Sequence, residues 1–121
     1  SNEELAQLIS SKEYINELKV YKFVHKHDNG DLRSFYNSLF KYDIRKEVSA
    51  FTDDRNNGKL YFKYKNNINK SNYFGEKEGV LIEALINEED VKLIDEDSIL
   101  VKKAFITRVV PESEWKEWVN I

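Results

Sequence analysis

Two histidines, His25 and His27, stand two residues apart in "VHKHDNGD", and they are the only imidazoles in the 121 residues. Residues two apart on a strand share a face, so both rings could reach one metal, with Asp28 or Asp31 adding oxygen ligands. Zinc wants three or four such ligands in tetrahedral array, and no third His and no Cys exists to complete the set. The plainer reading is that the pair belongs to a hairpin, with no metal. A serine nucleophile would have to pair one of these histidines with Ser34, Ser38 or Ser49, and no Gly-x-Ser-x-Gly elbow accompanies them. The four glycines, Gly30, Gly58, Gly75 and Gly79, form neither a P-loop nor a dinucleotide fingerprint. Without Cys, thiolate metal sites, thiol nucleophiles and disulfides are excluded.

Carboxylates offer two further patterns. "GEKEG" places Glu76 and Glu78 at Glu-x-Glu spacing. That spacing resembles ADP-ribosyltransferases, in which one glutamate holds the nicotinamide ribose and the other orients the acceptor. The resemblance implies an early Arg or His and a Ser-Thr-Ser-like strand, for which Tyr21-Lys22 and Ser34 are poor substitutes. The run "NEEDVKLIDEDS" at 87–98 lacks the spacing and closing Glu of an EF-hand. Its Glu88, Glu89 and Asp90 form instead an acidic surface that could block the basic site of a toxin.

The middle of the chain mixes aromatic with basic side chains. Rings on a sheet can stack on planar groups, and Arg or Lys can hold phosphate. Arg33, Arg45 and Arg55 are the candidate anion-facing residues, because a guanidinium forks onto phosphate or carboxylate. Tyr36, Lys63 and Tyr64 complete the candidate contact set. Strand alternation must send about half of these rings into a core. Nucleic acid is disfavoured, because RNP motifs are absent and the net charge is −3.

The elements that must position these residues follow from periodicity. Leu5, Leu8 and Ile9, then Tyr14, Ile15 and Leu18, make an apolar stripe that predicts a helix over residues 3–18. Residues 19–27 and 32–40 read as strands flanking Asn29-Gly30, the signal for a type I′ hairpin turn. Weaker alternation marks a short or edge strand in 42–51, and "KLYFKYK" at 59–65 reads as a strand. "NNINKSNYFGEKEG" at 66–79 is a long polar connection, of the kind that often carries function. "VLIEALI" at 80–86 is nearly all apolar, as in a strand covered on both faces. Residues 87–97 predict a turn with a short strand, and 98–110 one long strand. Pro111 then opens a helix whose Trp115, Trp118 and Val119 share a face. The expected fold is α+β, a mostly antiparallel sheet of about six strands with an N-terminal and a short C-terminal helix.

At 40% hydrophobic and 13% aromatic residues, the chain has the material for one core, and residues 1–121 read as a single domain. It contains no Met, initiator included, which leaves open a longer parent protein. No apolar run approaches a membrane span, and a cytoplasmic location is expected. Charge is polarised: residues 19–70 hold twelve Lys/Arg against six Asp/Glu, whereas 71–97 hold two against nine. Such asymmetry can steer a charged partner.

The stretch 79–110, "GVLIEALINEEDVKLIDEDSILVKKAFITRVV", with Lys102, Lys103 and Ala104 after an acidic turn, resembles the end of small β-rich domains of phage and prophage proteins, some of which follow pentapeptide repeats. "VYKFV" at 20–24 resembles their opening strand. Small phage proteins that sequester nucleotide defence signals open in a similar way. The resemblance implies a small β-rich module from a phage or mobile element, without an assigned active site. The functional expectation is a non-enzymatic binding module, without cofactor, that contacts a protein partner or captures a small anionic ligand such as a nucleotide signal. The alternatives are an immunity protein acting through the acidic segment, and an ADP-ribosyltransferase-like enzyme.

Overall fold

In the computed structural model, whose described residues are 18–50 and 60–119, the chain is built on one antiparallel sheet. Its strands are β1 (Lys19–Lys26), β2 (Leu32–Arg33), β3 (Glu47–Ser49), β4 (Tyr61–Lys63), β5 (Gly79–Leu85), β6 (Val91–Ile94), β7 (Ser98–Val101) and β8 (Lys103–Val110). One α-helix, α1 (Glu112–Val119), follows. The lateral order is β3-β8-β5-β1-β4-β7-β6, with β2 paired to the end of β1.

The expectation of about six strands and two helices is therefore corrected, among the described residues, to eight strands and one short α-helix at the C-terminal side. The helix expected over 3–18 falls almost wholly outside the described residues. The long strand expected over 98–110 is two strands, broken at Lys102, whose N–H donates to the Asp90 carbonyl (2.7 Å) and whose carbonyl accepts from the Ala50 N–H (2.7 Å). The second hairpin strand stops after Arg33. There the Ser34 hydroxyl accepts from the N–H groups of Tyr36 and Asn37, and the Asn37 side chain from that of Leu39. These local bonds give the backbone an alternative to the ladder. The turn also differs from type I′: Gly30 alone has a positive φ (92°), its N–H bonds the His27 carbonyl, and Asn29 instead accepts from the Asp31 N–H.

The order of strands forces curvature. β8 and β7 lie four places apart in the sheet yet are joined by the single residue Lys102. In a flat sheet four spacings would span about 19 Å, whereas two peptide links reach only about 7 Å. The sheet therefore curls upon itself. Its concave side buries Val20, Val24, Val48, Leu60, Phe62, Ile82, Ile99, Val101 and Ile106 as one cluster drawn from almost every strand. β5 lies between β1 and β8, and both of its faces are covered, which explains why it is apolar but for Glu83.

On the convex side Tyr21, Phe23, Leu81 and Val110 meet Trp115 of α1 and Ile68 of a 3-10 turn over Lys65–Lys70. Trp115 sits edge-on to Phe23 and Phe74. A polar bolt fastens the helix further. Buried Glu83 of β5 accepts from the Thr107 hydroxyl (2.7 Å) and from Arg108 (3.1 and 3.2 Å), and Arg108 also makes a forked pair with Glu114 of α1 (2.8 Å twice). Burial alone would raise the Glu83 carboxyl, but the bonds from Thr107 and Arg108 outweigh it and hold the group below its ordinary range.

Candidate functional site

β1 is covered on one side by β5, from Lys19 to His25. On its other side it meets β4 only at Tyr21 and β2 only at His25 and Lys26. Between these contacts the edge of β1 has no ladder partner among the described residues. Strand alternation decides which groups face the gap. The Lys26 N–H goes to the Glu78 carbonyl on the β5 side and the His27 N–H to the Asp31 carbonyl on the β2 side. Odd-numbered residues thus aim their backbone groups at the gap, and Phe23 stands at its middle.

The gap opens into a cleft of about 550 Å³. Phe40, Tyr42 and Phe62 floor it, all nearly fully buried, while Tyr36 and Tyr61 stand exposed at its rim. Lys22, Lys63 and Lys70 line it, and among the described residues no Asp or Glu does, although the chain is net negative.

Lys22 shares the face of β1 occupied by Val20 and Val24, so its ammonium lies among apolar groups. It donates to the Tyr61 carbonyl (2.9 Å) and lies 6.0 Å from the Phe62 ring centre. No described carboxylate pairs with it. Desolvation, helped by the neighbouring charge of Lys63, pushes the Lys22 ammonium down to about 8. Lys70 differs: it pairs with Asp97 (2.9 Å), which raises its affinity for its proton.

An aromatic column forms the far wall. His25 stacks on Phe35 (5.1 Å between ring centres), Phe35 on Tyr73 (4.5 Å), and Tyr36 meets Tyr73 edge-on (5.1 Å). His27 continues the column, 4.5 Å from His25. The two histidines are thus structural neighbours of the cleft. His25 lies 3.3 Å from Glu78, and no three described His, Asp or Glu side chains converge to hold a metal.

Of the residues singled out from sequence, the structure brings Tyr36 and Lys63 together in the cleft. Arg33 is adjacent, but its guanidinium holds the Ser38 carbonyl (2.8 Å) and Asp31 (2.8 Å), bracing the 34–40 loop. Arg45 is elsewhere, in a tight turn with φ of 63°, its N–H bonded to the Ile106 carbonyl. Tyr64 packs half-buried against the main core, and burial raises its hydroxyl's affinity for the proton. Arg55 lies outside the described residues. Glu88, Glu89 and Asp90 form a 3-10 turn, with Asp90 buried and Glu89 exposed. Glu76 and Glu78 are exposed and do not line the cleft. Sequence reasoning missed Lys22 and Tyr73 as cleft residues. The readable signal for Lys22 was a lone lysine on the apolar face of "VYKFV".

No protein-family model matches the chain, and no solved structure does. Over 115 residues, 93% of its length, the chain is 36% identical to a protein named Gabija anti-defense 2 from Bacillus phage SPbetaL7. It spans about 28% of that protein's length. The phage part of the sequence resemblance is thereby supported, while its link to pentapeptide repeats is not shown. Among the described residues no helix is long and apolar enough to cross a membrane.

Proposed function

We propose that the chain is a non-enzymatic binding module of a phage anti-defence protein. It engages its target in the cytoplasm of the infected cell by taking an anionic group, carried by a protein of the defence machinery or by a small ligand, into the cleft beside β1. The observation that carries this reading is a cleft lined, among the described residues, by Lys22, Lys63 and Lys70 and by no Asp or Glu, with Lys70 alone paired to a carboxylate beyond the lining, in a net-negative chain. An ammonium held in an apolar wall without a counter-charge costs stability, and occupation by an anion would offset that cost. Kinship with a protein named for anti-defence supplies the setting. The exposed rings of Tyr36 and Tyr61 suit a flat, partly apolar contact around the anion.

The test is a segment exchange. The corresponding segment of the phage relative is replaced by this chain, and phage plating is scored on bacteria carrying a Gabija system. Retained anti-defence activity, lost when Lys22→Met and Lys63→Met are introduced together, is the expected result. Unaltered activity in the double variant would remove the cleft from the function.

A further inference from the structure

We infer that the group received by the cleft is a nucleoside phosphate, with the phosphate on Lys22 and Lys63 and the base lying against the Phe23 backbone edge under Tyr36. This rests on the binding-module reading above and names its ligand.

Three features of the cleft select this class. Its volume of about 550 Å³ is in the range of small-molecule sites and exceeds what a single acidic side chain would fill. Among the described residues the open edge of β1 between β4 and β2 is one residue long, too short to add a peptide strand, which needs alternate residues over several positions. The Phe23 N–H and C=O, which have no ladder partner on that side among the described residues, instead match the adjacent donor and acceptor on the edge of a nucleobase. Finally, Lys22 and Lys63 both line the cleft, the charge of Lys63 acts on Lys22, and no described Asp or Glu lines it with them; a phosphate dianion satisfies two ammonium groups where a carboxylate supplies one charge. Tyr36 is 71% exposed, with its hydroxyl anchored by the Asn72 amide (3.4 Å), so the ring is poised at the rim with a free surface. Stacking on such a ring tolerates any base, and the geometry does not choose between bases. Depression of the Lys22 ammonium to about 8 adds a consequence: seating a phosphate beside it reprotonates the amine, so binding takes up a proton near pH 8.

The chain is titrated with AMP, adenosine, inorganic phosphate and N-acetyl-aspartate, followed by calorimetry and by amide NMR shifts. AMP should saturate, moving the signals of Lys22, Phe23, Tyr36 and Lys63, with adenosine and phosphate each at least about ten-fold weaker. Lys22→Met and, independently, Lys63→Met should each weaken AMP by about ten-fold or more while leaving adenosine unchanged. Tyr36→Ala should weaken AMP and adenosine alike. Dispersed amide spectra establish that each variant is folded, and Lys63→Met carries the test alone if Lys22→Met is not. Phosphate or N-acetyl-aspartate binding as tightly as AMP would overturn the proposal, as would no saturable shift with AMP. If AMP fails while the double lysine variant still abolishes anti-defence activity, the ligand class is wrong and the binding module stands. If AMP binds through these lysines while that variant plates as before, the ligand stands and the functional reading falls.

Discussion

Lys22→Met should stabilise the free protein while disabling its cleft. Methionine keeps the aliphatic stem that packs between Val20 and Val24 and removes the ammonium. A fall from 10.5 to about 8 corresponds to a gross penalty of about 3 kcal/mol for keeping the charge at neutral pH. Solvent at the cleft mouth screens part of that, and the lost bond to the Tyr61 carbonyl offsets about 1 kcal/mol. The expected net gain is about 1–2 kcal/mol, or about 4–8 °C in Tm for a chain of this size. The sign of the pH dependence follows from linkage. The folded pKa is lowered, so between about pH 8 and 10.5 the unfolded chain binds more protons, and the parent becomes more stable as pH rises. The advantage of the variant is therefore full below pH 8 and disappears by about 10.5. Denaturant melts of both proteins at pH 7, 9 and 10.5 measure it. A variant less stable than the parent at pH 7, or one whose gain persists at pH 10.5, would refute the claim that Lys22 is held charged against its surroundings.

Trp115→Ala should cost about 3–4 kcal/mol in chemical denaturation, because the indole packs edge-on to Phe23 and Phe74 and anchors α1 to the convex face. Glu83→Gln should cost about 2–3 kcal/mol by leaving Arg108 with one carboxylate instead of two. It should also flatten the acid limb of the stability curve: the depressed Glu83 carboxyl contributes stability present above the ordinary carboxylate pKa and lost as pH falls through its folded value. Gly30→Ala should destabilise by about 1 kcal/mol in the same assay, since φ of 92° disfavours any residue with a Cβ although the surrounding space is open. An Ala variant as stable as the parent would show that the turn relaxes to another type.

How much of this was legible beforehand depended on whether a signal was local. β1, β5 and α1 were readable, because period-two alternation, a nearly all-apolar run and Pro111 before a tryptophan stripe each act within a few residues. The strand expected over 32–40 was misread because aromatic content outvoted Ser34 and Asn37, whose side chains bond the nearby backbone and end the ladder. The expected strand over 98–110 was misread because nothing within it marks Lys102 as the corner; its partners, Asp90 and Ala50, are distant in sequence. In the candidate site, Tyr36 and Lys63 were named from composition. Arg33 was named for the same reason, but Asp31 and the Ser38 carbonyl already occupy it.

The order of residues by itself determined that this chain forms an antiparallel, aromatic-rich sheet, that its charge is divided between a basic middle and an acidic following segment, and that thiol chemistry is closed to it. These are properties of side-chain type and short-range period. Tertiary structure decided the cleft. It exists because β4 and β2 approach the same edge of β1 and diverge around Phe23, which sets Lys22 beside Lys63, some forty residues later in the chain, under rings from the 34–40 loop and the 65–76 connection. Such a meeting is a matter of strand pairing across long loops, and pairing is settled by the energy of the whole curled sheet rather than by any stretch of sequence read alone.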